Sequence, residues 1–137
     1  MPFVLDASIT ACWAFDDEDH QNAASALKRL ADDHAVVPAL WWYEIRNILL
    51  MNERRGRISP RSIAKFLGEL HALPVEVDQN HPDEEMVFLT VRKHRLTVYD
   101  AVYLELARRG SMSLATLDTD LARAAKNEKI QLIGENG

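Results

Sequence analysis

The chain has one cysteine, Cys12, and no apolar stretch long enough to cross a bilayer. A single thiol excludes an internal disulfide and any zinc site built from several cysteines. With no histidine or basic neighbour in sequence to activate it, Cys12 reads as a small packing residue. The longest apolar run, residues 35–43, is nine residues long and contains Pro38, well short of the ~20 residues of a membrane helix. The five histidines, at 20, 34, 71, 81 and 94, never stand three or four apart, so no helix carries a paired zinc-ligand motif. The five glycines, at 56, 68, 110, 134 and 137, never cluster, which excludes a dinucleotide fingerprint and a phosphate-binding loop. No Gly-x-Ser-x-Gly elbow of a serine hydrolase occurs either. Met1-Pro2-Phe3-Val4-Leu5-Asp6 carries no basic segment and meets an acid after three apolar residues, so it does not read as a signal peptide, and a cytoplasmic location is expected.

What is present is enough for one ordinary domain spanning residues 1–137, 47% hydrophobic, a size that buries roughly two-thirds of the unfolded surface. Short apolar runs alternate with longer segments of helical periodicity. Residues 3–5 predict a strand that hands over to a helix capped by Asp6 or Ser8. In 19–34, Ala23, Ala26, Leu27 and Leu30 recur at helical spacing and leave Lys28, Arg29, Asp32 and Asp33 for solvent. A second strand is expected at 35–38 and a long helix at 40–55, with Gly56 suited to its C-terminal cap. Ser59-Pro60 opens another helix, and 74–77 predicts an edge strand. Further helices are expected from Pro82 to about Arg95, from a Thr97 cap to Arg109, and over 118–129, with strands at 114–117 and 131–133. Repeated βα units argue for an α/β fold, a three-layer α/β/α sandwich around a short, mostly parallel central sheet.

Four carboxylates recur where these segments meet: Asp6 after Phe3-Val4-Leu5, Glu44 in Trp42-Tyr43-Glu44-Ile45, Asp100 in Val98-Tyr99-Asp100-Ala101, and Asp118 after Ala115-Thr116-Leu117. An acid among apolar residues is costly to ionise unless it is hydrogen-bonded or neutralised by a cation. Asp6 and Asp118 follow strands, where open α/β sheets bind ligands. As caps, Asp6, Asp118 and Asp100 have an ordinary structural explanation, but Glu44, in mid-helix beside two tryptophans, does not. Together they read as a site for a hard divalent cation, Mg²⁺ or Mn²⁺, bound by oxygen alone. Such an ion polarises a phosphodiester and lowers the pKa of bound water.

Leu5-Asp6-Ala7-Ser8, Tyr43-Glu44-Ile45-Arg46-Asn47, the run from Tyr99-Asp100-Ala101 to Ala107, and Ala115-Thr116-Leu117-Asp118-Thr119-Asp120-Leu121-Ala122 closely resemble the PIN-domain ribonucleases, in particular the VapC-type toxins of bacterial toxin–antitoxin pairs. The resemblance covers nearly the whole chain and keeps the motif order. It implies a PIN-like fold and a metal-dependent endoribonuclease held inactive by a cognate antitoxin. By motif match, Asp6, Glu44, Asp100 and Asp118 become the acidic quartet, Asp6 and Asp100 its leading metal ligands. Ser8, Asn47 and Thr116 become supporting polar groups, and Asp120 an extra acid that helix capping or exposure explains equally well. A homodimer and a toxin–antitoxin hetero-oligomer are implied as well.

A net charge of −5 argues against a nucleic-acid partner, but two bound divalent cations would cancel most of it. Arg54, Arg55, Arg57, Arg61 and Lys65, against Glu53 alone, then offer a grip on RNA phosphates, and Arg92-Lys93-His94-Arg95 forms a second basic cluster. Both clusters are also what solvated helix ends look like. Trp13, Phe15, Trp41 and Trp42 are candidates for part of a partner groove, although aromatics so placed are commonly core. Three rival readings stand beside the nuclease. A receiver-like phosphorylation domain usually pairs acids after its first strand, and a haloacid dehalogenase-type phosphatase wants a second acid where Ser8 stands. The third is a PIN fold that binds without cutting.

Overall fold

Phe3, Val4 and Leu5 form a strand from which solvent is wholly excluded, as expected of a strand covered on both faces. In the computed structural model, which describes residues 1–134, this strand, β1 (Phe3–Leu5), is followed by α1 (Ala7–Cys12), α2 (Gln21–Arg29), β2 (Ala35–Val37), α3 (Ala39–Arg54) and α4 (Pro60–His71). Next come β3 (Val75–Val77), α5 (Glu84–His94), α6 (Val98–Arg109), β4 (Ser113–Ala115) and α7 (Thr119–Asn127). The last three residues of the expected domain lie outside the described residues.

The sheet order is β3-β2-β1-β4, with every pairing parallel. It is wholly parallel among the described residues, as befits a chain in which helical crossovers join all four strands. The expected last strand at 131–133 contributes a single parallel bridge, Leu132 to Leu114. From β1 the chain builds outward through β2 to β3, then returns to lay β4 on the other side of β1. The order therefore reverses at β1 and β4, and it is beyond the carboxyl ends of strands at such a reversal that open α/β sheets bind ligands. The layers are α/β/α: α1, α2 and α3 pack together, α5, α6 and α7 pack together, and α6 lies on β1 and β4.

Local chemistry sets most element ends. The Ser59 hydroxyl accepts from the Ser62 N–H with Pro60 in the first turn, Thr97 accepts from the Asp100 N–H, and Gly56 takes the left-handed conformation (φ 75°) past the end of α3. The helix expected over 19–34 is shorter. Asp32 and Asp33 would place two acids at its negative C-terminal end; instead Asp33 turns back, accepting from the His34 N–H and pairing with the Met1 amino group at 2.9 Å. The helix expected to reach residue 129 ends at Asn127, where Lys129 goes left-handed and the Ile130 N–H returns to the Ala125 carbonyl.

Past the end of α7, the buried His94 Nε2–H donates to Glu128 Oε1 at 2.7 Å, with Lys93 at 3.2 Å and Arg108 at 3.7 Å from the same carboxylate. His94 first, then Lys93 and Arg108, hold the Glu128 carboxyl below its ordinary 4.5. A depressed acid stabilises the fold above its unfolded pKa, and that contribution disappears as pH falls through the folded value. Glu128→Gln is expected to lower stability by ~1–2 kcal/mol at pH 7 and to cost nothing below that folded value. Denaturant unfolding of both proteins across pH checks this; a difference that persists undiminished in acid would assign the loss to packing.

Candidate active site

Asp6 is the first residue past β1. Its N–H continues the ladder to the Ala115 carbonyl at 2.9 Å, which sets it directly beside Thr116. Backbone dihedrals make it the N-cap of α1, yet its side chain caps nothing. Instead Oδ2 accepts from Thr116 Oγ1 at 2.6 Å and from Ser8 Oγ at 2.7 Å. Each hydroxyl is itself oriented by a backbone donor: the Leu117 N–H gives to Ser8 Oγ at 2.9 Å and the Asp118 N–H to Thr116 Oγ1 at 3.0 Å. Those amides occupy hydroxyl lone pairs and leave the single proton of each hydroxyl for Asp6. Only 5% of Asp6 is exposed. Burial pushes its carboxyl up from the ordinary value, and the Thr116 and Ser8 bonds oppose that rise.

Glu44 and Asp118 are also tied through an oxygen. Glu44, half-buried on α3, accepts at Oε1 from the Tyr103 hydroxyl at 2.6 Å. Asp118 caps α7, accepting at Oδ1 from the Leu121 N–H at 2.9 Å. Asp6, Glu44 and Asp118 thus each commit an oxygen to the scaffold, and the Asp6 carboxylate also receives the Ala7 N–H. Asp100 lies in the first turn of α6, and burial, then the charges of Asp118 and Asp6, raise its carboxyl to about 6. Burial, with the charges of Asp6 and Asp100 adding to it, also raises the Glu44 carboxyl. The charges of Asp6, Asp100 and Asp118 thus reach one another, and those of Asp6 and Asp100 reach Glu44.

They do not close into a ligand shell by themselves. Among the described residues no three His, Cys, Asp or Glu side chains are placed to enclose one cation. The donor set nevertheless fits Mg²⁺ or Mn²⁺: all donors are oxygen, the negative charge is uncompensated, and Mg²⁺ keeps several waters while taking only one or two carboxylates directly.

Asp120 stands apart, exposed at the start of α7 and paired with Arg123 at 3.0 Å, although its charge still reaches Asp100. Asn47 is exposed on α3 one turn beyond Glu44, and its side chain hydrogen-bonds to nothing among the described residues, so it does not buttress the acids as Ser8 and Thr116 do. Tyr103 was not singled out from the sequence. It follows Asp100 by three residues and therefore shares a face of α6 with it, which was the available signal. It is completely buried, and burial, reinforced by the charges of Asp6 and Glu44, pushes its phenol far above the ordinary 10. It therefore remains a hydrogen-bond donor at any working pH.

The basic segment divides. Among the described residues, Arg57 alone of the five pairs with acids of this chain. The loop after α1 brings Asp17 to 3.2 Å and Glu18 to 3.5 Å from its guanidinium, which also stacks on Phe15 at 4.7 Å and donates to Asn52 at 2.7 Å. Arg54, Arg55, Arg61 and Lys65 are exposed without an acidic partner among the described residues. The cluster at 92–95 is largely consumed, since Lys93 and His94 hold Glu128 and Arg92 lies over Phe88. The four aromatics divide as well. Phe15 and Trp41 are core, Trp41 donating to Thr10 at 3.0 Å, and Trp13 donates to the Ala23 carbonyl at 2.8 Å; only Trp42 is exposed, beside Tyr43.

Comparison with known proteins places the fold. The PIN domain profile matches residues 3–127. Ribonuclease VapC3 of Pyrobaculum aerophilum is 33% identical over 129 residues, 89% of this chain and 93% of that protein. Among solved structures, PAE2754 from the same organism superposes with a TM-score of 0.70 at 24% identity, covering 90% of this chain and 84% of that one. Mycobacterium tuberculosis VapC20, described as a sarcin-ricin loop cleaving toxin, gives 0.59 at 15% identity over 90% and 95% of the two chains. FitAcB from Neisseria gonorrhoeae gives 0.58 at 16% over 97% and 96%. At these identities the structures speak for the fold.

Proposed function

The chain belongs to the PIN domain family, and from that premise we propose that it is a VapC-type toxin, a Mg²⁺- or Mn²⁺-dependent endoribonuclease neutralised by a cognate antitoxin. What supports this reading is that Asp6, Asp100 and Asp118 act on one another by charge, that Asp6 and Asp100 act likewise on Glu44, and that Asp6, Glu44 and Asp118 are each tied to the scaffold through an oxygen. In this proposal Asp6, Asp100, Asp118 and Glu44 hold the cation. Ser8 and Thr116 fix the Asp6 carboxylate, and Asp120 adds charge at the rim. When bound, a divalent cation supplies positive charge to the scissile phosphate and activates the attacking water. The acids keep that charge at one place, and their surplus negative charge repels RNA until a cation is present.

A receiver-like reading is less well supported, because Ser8 donates a hydrogen bond to Asp6 from the position of the second acid. A non-cutting PIN module keeps the same surfaces but has no use for four costly acids. We further propose that residues 1–137 act as one domain, in the cytoplasm with the RNA it cuts, as a homodimer and in complex with the antitoxin. Exposed apolar side chains on α3, Trp42, Tyr43 and Leu50, support a protein partner, and no helix of the described residues is long and apolar enough to cross a membrane.

The test is cleavage of a panel of purified RNAs by antitoxin-free protein with Mg²⁺, Mn²⁺ or EDTA. Cutting that needs the cation and stops in EDTA is expected; a folded, cation-binding protein that cuts no RNA in the panel would favour the binding module. For RNA grip, Arg54→Glu with Arg55→Glu should weaken binding and reduce the salt slope by about 2, roughly one for each phosphate no longer neutralised. An unchanged slope would remove this patch from the RNA path.

A further inference from the structure

We propose that Tyr103 is a positioning residue for Glu44, presenting that acid to the cation site as a one-oxygen donor; this inference rests on the nuclease reading above. Glu44 projects from α3, and nothing on α3 holds its carboxylate. Arg46, two residues on, is turned away, stacking over Trp42 at 4.0 Å and donating to the Trp42 carbonyl. The one hydrogen bond Glu44 receives among the described side chains comes from another element, the Tyr103 hydroxyl of α6 at 2.6 Å. That distance is short, as for a hydroxyl bound to a charged acceptor.

The tyrosine ring is fully enclosed, so its hydroxyl has no freedom to move with Glu44. A flexible glutamate is thereby held in one rotamer with Oε1 occupied and Oε2 uncommitted. Asp6 is held the same way, one oxygen fixed by Thr116 and Ser8. The Tyr103 hydrogen bond also ties the helix bearing Asp100 to the helix bearing Glu44. Cooperation between acids from separate elements therefore depends on one phenol, and its removal would free Glu44 to swing away or to chelate through both oxygens.

Tyr103→Phe removes the hydroxyl and keeps the ring. Mn²⁺ binding to the RNA-free protein, followed by calorimetric titration, is expected to weaken about 10-fold, and kcat to fall ~10–100-fold with KM for RNA changed less than about twofold. The thermal midpoint should hold within a few degrees. In a Glu44→Gln background the same substitution should alter Mn²⁺ affinity no further, because it acts through that carboxylate. Wild-type Mn²⁺ affinity in Tyr103→Phe would overturn the proposal, as would an equal loss in both backgrounds or failure to fold, each of which makes the hydroxyl merely structural. Wild-type protein that binds Mn²⁺ but cuts no RNA would defeat the nuclease reading alone, and the affinity comparison would still decide the role of Tyr103. No Mn²⁺ binding by the wild type would defeat both.

Discussion

Cleavage should fall by more than ~100-fold when Asp6 or Asp100 is replaced by Asn, beyond the ~10–100-fold that attends loss of a residue merely supporting a ligand. Asn is nearly isosteric and keeps one oxygen acceptor, but it removes the charge that attracts a divalent cation. The two positions are held differently. At Asp6 the Thr116 and Ser8 hydroxyls can still find the amide oxygen, so the side chain should stay in place and only the chemistry should fail. At Asp100 a second consequence follows. Its folded carboxyl is raised from 3.8 to about 6, by burial and then by Asp118 and Asp6. A raised acid favours the fold fully below its unfolded pKa, and that favour is lost as pH rises through the folded value. At pH 7 the ionised group is thus a net burden.

Asp100→Asn should therefore stabilise the cation-free protein. An undiscounted shift of this size would correspond to about 3 kcal/mol; partial exposure reduces the expectation to ~1 kcal/mol, a few degrees in thermal midpoint. The measurement pairs single-turnover RNA cleavage with thermal unfolding in EDTA. Gain of stability with loss of cutting is the signature of a group retained for chemistry at the expense of the fold. Retained cutting would remove Asp100 from the site, and a fall in stability would make it a structural cap.

Arg109→Met should produce a large loss of stability. Glu105, 4% exposed, accepts from Arg109 at 2.9 Å through each of its oxygens, and the same guanidinium reaches Asp78 at 2.9 Å. Glu105 also faces the Asp83 N–H at 3.4 Å, ahead of α5. The two acids hold the Arg109 guanidinium charged more firmly than usual. Removing it strands a buried carboxylate beside a second acid, which costs about 3 kcal/mol, the lower part of the range for a broken buried pair because water can reach the vacated side. The denaturant midpoint should drop accordingly, and adding Glu105→Gln should recover part of it. Recovery of nothing would mean that packing of the arginine stem, not its charge, holds α6 to the loop after β3. Since α6 also carries Asp100 and Tyr103, the same substitution should weaken Mn²⁺ binding from a distance.

The order of strands and helices was legible because its causes are local. Phe3-Val4-Leu5 could only be a buried strand, Ser59-Pro60 and Thr97 announced helix starts, and acids placed just after strands in a parallel α/β sheet fall at its ligand-binding edge. What the sequence left open was about partners. Arg57 read as a free cation because Asp17 and Glu18 are about 40 residues away in sequence. Phe15 and Trp41 read as groove or core alike, since an aromatic side chain has the same local signature in either place.

By itself, then, the sequence determined the α/β class, the positions of Asp6, Asp100 and Asp118 at element ends, and the hardness of any metal they would hold. Tertiary structure alone decided that an oxygen of Asp6 and an oxygen of Glu44 are spent on the scaffold. Thr116 meets Asp6 across 110 residues and Tyr103 meets Glu44 across 59. Pairings at such separations follow from how strands order and helices pack, so no periodicity, cap or spacing along the chain records them.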